Sequence, residues 1–198
     1  MIKRAFDLLA ALAGLALFGL PMLVMAAWIR LDSPGPVFFR QERVGRHGRT
    51  FRIHKFRTMA ADAHARGPLL TVGQDARITR AGAFLRAHRL DELPQFLDVL
   101  AGDMSLVGPR PDVPRYVALW PAALRERVLA VRPGMTDPAS LEFRDEAALL
   151  ARAADPEVEY LQVILPRKLA RAAEYADRAS LWSDLLVIGR SVGVLFSR

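Results

Sequence analysis

The sequence predicts an α+β protein: α with a small β-hairpin, held to a membrane by its N-terminus. Three observations predict it. Residues 8–29 form an uncharged apolar run, "LLAALAGLALFGLPMLVMAAWI". Two β-rich stretches flank the turn sequence "GRHG" at 45–48. The C-terminal half carries apolar residues at helical spacing.

The apolar run has 22 residues. At ~1.5 Å per residue, a helix of that length reaches ~33 Å, enough to cross the hydrocarbon core of a bilayer. It is too long for a signal-peptide core, and no small-x-small cleavage site is followed by a mature secreted-type chain. Pro21 sits inside the run, with Gly14 and Gly19 before it. A proline there removes a backbone donor and crowds the preceding turn, so a break or sharp kink is expected. Basic residues stand on both sides: Lys3 and Arg4 before, Arg30, Arg40, Arg43, Arg46 and Arg49 after. A spanning helix has one basic cytoplasmic flank. Two such flanks suit a helix that enters one leaflet and returns to the same face. The residues alone leave spanning and re-entrant forms open. The expected division is an anchor over 1–30, continuous with a body over 31–198.

In the body, "DSPGP" at 32–36 is a turn cluster. "VFFRQERVG" and "RTFRIHKFRTM" read as the hairpin, with Phe51, Ile53 and Lys55 on one side of the second strand. Arg40, Arg43, Arg46, Arg49 and Arg52 are expected on its polar face, against lipid headgroups. Residues 60–66 read as a hydrophilic helix, and 67–82 as a glycine-rich loop. A short helix is expected over 83–88. "ELPQFLDVLAG" reads as another, stopped by Gly102. Further helices are expected within 113–130, over 145–153 and over 157–176, the last broken or kinked at Pro166. The final "LWSDLLVIGRSVGVLFSR" suits a helix lying on the membrane surface.

Charge narrows the partners. Residues 1–60 hold 10 Lys/Arg and 3 Asp/Glu, while the other 138 residues hold 18 of each. The basic excess therefore sits beside the apolar run and points to an anionic partner there. Nucleic acid is disfavoured, because the basic residues sit beside the apolar run. There is no cysteine. His47, His54, His64 and His88 follow no ligand spacing, which argues against a zinc site. No GxxxxGK[ST] or GxGxxG stretch occurs, so ordinary nucleotide folds have no support.

The chemistry concentrates in "RAHRLDELPQFLDVLAGDMSLVGPRP" at 86–111. Asp91 and Glu92 precede an apolar helix, where Asp91 reads as an N-cap. A carboxylate at a helix start is favoured as the anion, and such an aspartate can attack phosphorus or bind a cation. Glu92 adds a hard oxygen suited to Mg²⁺. Arg86 lies about a turn before Asp91, and Arg110 sits in the rigid "GPRP" turn. Guanidinium forks bind phosphate oxygens bidentately. Carboxylates, arginines and a magnesium ion are the parts of a phosphoryl-transfer site.

The motifs "RAFD", "SPGPVFFRQERVGRHG", "FRIHKFRTM", "ARITRAGAFLR", "LDELPQ", "GDMSLVGPRP" and "RPGMTD" follow one another in this order. Together they resemble the bacterial sugar transferases, the monotopic polyprenyl-phosphate phosphoglycosyl transferases of the small catalytic-domain type. The resemblance covers about residues 3–145 and continues more weakly beyond. It implies transfer of a sugar 1-phosphate from a UDP-sugar to undecaprenyl phosphate, giving a polyprenyl-diphosphate sugar and UMP. The place it implies is the cytoplasmic face of the bacterial inner membrane, as a first membrane step in a surface glycan pathway. It implies Asp91 as the nucleophile of a covalent phosphosugar intermediate, and Glu92 as its partner, with Mg²⁺ on Asp91 and Glu92. Arg86, Arg110, Arg144, Lys55 and Arg57 match substrate-binding positions. Pro21 matches the proline that makes the family's membrane helix re-entrant. UDP-sugar, undecaprenyl phosphate and membrane lipid are the implied partners, and self-association stays open. An inactive scaffold of the same fold is the alternative.

The chain departs from the family twice. Leu20 stands before Pro21 where many members have Ser. "PGMTDPASLEFR" replaces the usual "PGITGxAQVxGR", so the sugar cannot be borrowed from relatives.

Overall fold

A computed structural model describes residues 2–63, 75–143 and 145–196. The first element, α1 (Ile2–Asp32), carries Pro21 inside it. A break or sharp kink at Pro21 was expected from the sequence; the helix is not broken there, and one element of 31 residues runs through the proline. One proline removes one hydrogen bond, and helical turns on both sides persist. Fastening at both ends offsets that cost.

The fastening is specific. At the N-terminal end, Lys3 donates to the Val107 carbonyl at 3.1 Å and pairs with Asp184. Arg4 donates to the Val99 carbonyl at 2.7 Å. Asp7 is buried and accepts from the Ser105 hydroxyl at 2.9 Å and the Leu106 amide at 3.1 Å. At the other end, Asp32 accepts from the Ala81 amide at 3.0 Å. Between them, Asp7, Ala11, Gly14, Met25 and Ile29 are buried, with Phe18 and Met22 half-buried. That stripe recurs every three or four residues, the spacing of one helix face. Its opposite face exposes Leu9, Leu12, Leu17, Leu20, Leu23, Val24 and Leu31. By length and composition α1 is apolar enough to cross a membrane.

The hairpin forms as expected. Strand β1 (Phe38–Val44) pairs antiparallel with β2 (Thr50–Phe56), in the register Phe38↔Phe56 to Val44↔Thr50. His47 and Gly48 turn the chain with positive φ of 58° and 77°. The arginines do not share one face, however. Arg40 and Arg52 are exposed, but Arg43 turns inward. Positions 40 and 43 differ by three, and a strand alternates faces with period two.

Helix α2 (Arg80–Ala87) starts three residues earlier than expected, capped by the Thr79 hydroxyl, which accepts from the Gly82 amide at 3.0 Å. A 3₁₀ turn (Leu90–Gln95) leads into α3 (Phe96–Ala101), and Gly102 ends it with φ 93°. Strands β3 (Ser105–Val107) and β4 (Gly134–Thr136) form a parallel pair that the sequence did not reveal. The expected stretch within 113–130 divides into α4 (Pro114–Val117) and α5 (Ala122–Leu129) around Pro121. Then come α6 (Pro138–Glu142), α7 (Glu146–Leu150) and α8 (Pro156–Glu159). The interruption expected at Pro166 takes the form of a change of helix type just before it. A π turn (Tyr160–Ile164) runs into α9 (Leu165–Arg178), where Pro166 lies in the first turn, whose amides need no helical partner. Helix α10 (Leu181–Phe196) closes the chain. Of the expected helix at 60–66, only 60–63 are described, and the loop over 67–74 lies outside the described residues.

Two of the cores matter for the site. Met25 and Ile29 of α1 pack with Phe56, Ala81 and Leu85. Full burial of side chains such as Phe56 and Leu85 contributes roughly 1.5–3 kcal/mol each. The other core gathers Tyr116, Val117, Trp120, Val128, Ile164 and Leu169 from α4, α5, the π turn and α9.

Candidate active site

Asp91 does not cap a helix. Arg89, with φ 55°, starts the 3₁₀ turn, and no side chain caps it. Asp91 therefore falls inside the turn and points at β2. Its Oδ2 lies 2.8 Å from the Lys55 Nζ, and the residue is 4% exposed. Lys55 reaches it because 53 and 55 share a strand face and Ile53 is buried beneath. A second contact fixes the approach of turn to strand: Asp98, the third residue of α3, accepts from the His54 amide at 2.8 Å and lies 2.6 Å from the His54 Nδ1. Burial pushes the Asp98 carboxyl up, against the bonds from His54.

Glu92 meets two cations. Its Oε1 pairs with Arg110 and lies 3.2 Å from the Lys55 Nζ, and its Oε2 is 3.3 Å from Arg110 Nη1. Burial alone would raise this carboxyl, but Arg110 and Lys55 together hold it far below the usual carboxylate range. Glu92 in turn pushes the Arg110 guanidinium up.

Arg110 is held by backbone. The Gly108 amide donates to the Thr136 carbonyl at 3.1 Å, and the Gly134 amide to the Pro109 carbonyl at 3.0 Å. A Cβ on Gly134 would lie 2.0 Å from the Gly108 nitrogen, so only glycine allows this approach. The Val44 amide donates to the Asp112 carbonyl at 2.9 Å, and Arg43 donates to the Pro111 carbonyl at 3.1 Å. The "GPRP" turn is thus pinned to β4 on one side and β1 on the other.

Two cavities flank this cluster. The larger, about 500 Å³, is lined by Phe38, Phe39, Phe56, Lys55, Arg57 and Arg86. The smaller, about 180 Å³, lies behind Arg110 and is lined by Asp112, Trp120, Asp137, Tyr160 and Lys168. Gln41 and Arg43 line both. Lys55 belongs to one and Arg110 to the other, and they meet at Glu92. The dyad itself lines neither cavity and lies beneath the point where these two cations meet.

The structure brings together Asp91, Glu92, Lys55 and Arg110, and places Arg86 on α2 at the larger cavity. Arg57 lines that cavity too, but its guanidinium serves the end of α1. It donates to the carbonyls of Ser33 at 2.7 Å, Ile29 at 3.4 Å, and Pro34. Ser33 and Pro34 follow the last helical residue, and the Ile29 carbonyl is shared with the Ser33 amide at 3.3 Å, so the guanidinium ties down the place where the helix ends. Arg144 lies outside the described residues.

Sequence reasoning missed Arg43, Asp112, Trp120 and Tyr160. Strand parity could have found Arg43. Nothing in the sequence pairs the others, which come from separate elements.

Among the described residues no group of three or more Asp, Glu or His gathers to form a metal cage. Two adjacent carboxylates do suit a Mg²⁺ ion that brings phosphate and water oxygens with it. Glu92 would have to share its oxygens, since Arg110 and Lys55 both hold them.

The family model described as bacterial sugar transferase matches residues 1–198. The chain belongs to that family. The chain is 37% identical over 200 residues to the UDP-N-acetylgalactosamine-undecaprenyl-phosphate N-acetylgalactosaminephosphotransferase of Aeromonas hydrophila, covering 99% of the chain and 44% of the relative. It is 50% identical over 116 residues to a putative undecaprenyl-phosphate N-acetylgalactosaminyl 1-phosphate transferase of Bacillus subtilis (strain 168), covering 58% of the chain and 64% of the relative. It is 39% identical over 201 residues to the UDP-glucose:undecaprenyl-phosphate glucose-1-phosphate transferase of Caulobacter vibrioides, covering 98% of the chain and 70% of the relative. The chain thus spans less than half of the Aeromonas relative, and about two thirds of the other two.

Proposed function

We propose that this chain transfers a sugar 1-phosphate from a UDP-sugar to a polyprenyl phosphate, undecaprenyl phosphate by the relatives' names, and releases UMP. The observation that carries the reading is the cluster where Lys55 and Arg110 meet. A buried carboxylate, Asp91, stands with Lys55, Glu92 and Arg110 between two cavities lined by further cations.

That arrangement supports a two-step displacement. An oxygen of Asp91 attacks the β-phosphorus of the UDP-sugar. The bond to the bridging oxygen breaks, and UMP leaves with the electron pair. A phosphate oxygen of the polyprenyl phosphate then attacks the same phosphorus and frees Asp91. That oxygen is already anionic, so no general base is needed. Arg86 and Lys55 face phosphates from the larger cavity, and Arg110 from the smaller. Arg57 keeps the end of α1 against the site, and Arg144 is assigned to the nucleotide-sugar end. Asp91 and Glu92 would hold a Mg²⁺ arriving with the diphosphate, and the ion would offset phosphate charge there. The cation-paired dyad favours this over an inactive scaffold. A panel of UDP-sugars with undecaprenyl phosphate tests it: one or more should yield UMP in step with lipid-linked sugar. Failure of the whole panel would refute the activity.

The anchor (1–30) is read as re-entrant, with the body (31–198) on the cytoplasmic face of the bacterial inner membrane. Both ends of α1 bind the same body: Lys3, Arg4 and Asp7 at one end, Ile29 and Asp32 at the other. A helix whose N-terminus lay across the bilayer could not make the first set. Its exposed leucines then dip into one leaflet, and the outward Trp182, Leu185 and Leu186 of α10 rest on the lipid. The chain lacks cysteine, so single cysteines can report topology. Cysteines placed at Ile2 and at Ser33 should both be modified only by reagents that reach the cytoplasm. Periplasmic labelling at Ile2 would mean a spanning helix.

A further inference from the structure

In two successive in-line displacements at one phosphorus, the group that leaves first and the group that enters second use the same side, opposite Asp91. UMP and polyprenyl phosphate therefore exchange in one space. The sugar does neither. It stays bonded to phosphorus throughout and needs a compartment that the exchange does not sweep. We infer that the smaller cavity behind Arg110 is the sugar pocket, taking one neutral pyranose ring and holding it through both half-reactions. This rests on the function proposed above.

Size separates the two cavities. An apolar cavity of roughly 150 Å³ admits one six-membered ring, so about 180 Å³ suits a single sugar but not a nucleotide. About 500 Å³ lies within the usual range for whole ligands and suits UMP or a lipid phosphate. The larger cavity is also the one that reaches α1's end, through Arg57, and so the membrane.

The wall chemistry separates them further. The larger cavity offers aromatic rings and cations, matching a base and phosphates. The smaller one offers the carboxylates of Asp112, Asp137 and Glu146 beside Lys168, Tyr160 and Trp120. Arg43, Arg110 and Lys168 match these three carboxylates in number, so the wall is mixed rather than cationic, and its carboxylates accept from hydroxyls. Sugar hydroxyls donate and accept at once, which a mixed wall requires. One donor stands ready. The Trp120 Nε1 is buried and has no hydrogen-bond partner among the described residues, and the residue is 6% exposed. A buried donor of this kind calls for an oxygen. A hydroxyl or acetamido oxygen on the ring supplies one once the indole, which lies against the cavity wall, swings to meet it. Arg43, which lines both cavities, likewise keeps its Nε without a partner.

Asp137 marks where this chain departs from its family, in "PGMTDPASLEFR". It is 2% exposed, and its Oδ1 accepts from the Ser140 amide at 2.9 Å, capping α6. That cap fixes a carboxylate at the cavity wall. Relatives of similar identity are named for different sugars, N-acetylgalactosamine and glucose.

The test compares binding of UDP with binding of a panel of UDP-hexoses and UDP-N-acetylhexosamines, in the Asp91→Asn background so that nothing turns over. Added Trp120→Phe should lower the affinity for the preferred UDP-sugar relative to UDP by roughly tenfold, the effect of one lost buried hydrogen bond. Affinity for UDP itself should stay within about twofold. Asp137→Asn should alter the order of preference among the sugars, while its amide still caps α6. Unchanged ratios in both variants, with UDP still bound, would overturn the sugar pocket and leave the transferase reading intact. If Trp120→Phe lost UDP binding as well, through damage to its core, the Asp137→Asn ratios decide by the same rule. A parent protein that bound neither UDP nor any UDP-sugar would overturn both.

Discussion

Asp91→Asn should abolish UMP release, by about 10⁴-fold or more, while the protein stays folded. Removing an attacking group costs on this scale, because the rest of the site cannot substitute for the missing bond. The change keeps the shape of the side chain. Lys55 keeps Glu92 at 3.2 Å, and the His54–Asp98 contacts that hold the turn are untouched. The thermal midpoint in lipid nanodiscs should therefore shift little. Full turnover in the variant would exclude the covalent route. An unfolded variant would mean that the Asp91–Lys55 pair is structural first.

Arg110→Ala should lower kcat/KM by about 10²–10³-fold, the size of effect seen when one preorganised charge contact to a reacting group is lost. It should also change how stability depends on pH. In the wild-type protein, Arg110 and Lys55 overcome burial and depress the Glu92 carboxyl. A depressed carboxyl contributes stability above its unfolded value, ~4.3, and that contribution fades as pH falls toward the folded value. Without Arg110, burial opposes Lys55 alone and the carboxyl moves up, so the contribution shrinks or vanishes. The stability difference between wild type and variant should be largest above about pH 5 and close as pH falls toward 3. Thermal midpoints across that range give the answer. A difference that does not vary with pH would mean that Glu92 is not held by Arg110. Arg110→Lys should recover part of the activity but not the paired contact, since an ammonium cannot meet both oxygens as a fork does.

How far the site could be read from sequence varied with the kind of signal. Lys55, Asp91, Glu92 and Arg110 each lie in a compact motif, and the structure brings them within contact of one another. The hairpin showed itself by its turn and its alternation. Other features had no local signature. Strands β3 and β4 are three residues each, too short for a period to appear, and they pair across nearly 30 positions. The capping role expected of Asp91 failed because Arg89 starts the turn two residues earlier with a left-handed backbone. The single helix through Pro21 depends on contacts from Lys3 to Asp184 and from Arg57 to Ile29, which no local pattern encodes. The cavity behind Arg110 draws on β1, α5, α9 and the loops between them, so it exists only once the chain is folded. Arg43 is the instructive error. Its charge suggested a place with the other arginines, yet its strand position alone put it on the inner face.

The central claim is that Asp91 carries the sugar phosphate between two substrates. Mixing the protein with its UDP-sugar and no lipid acceptor tests it most directly, read by UMP release and intact mass. The account predicts one equivalent of UMP and a mass gain equal to the sugar phosphate, absent in Asp91→Asn and erased when undecaprenyl phosphate is added. UMP that appears only when both substrates are present, with no mass gain at any time, would contradict it.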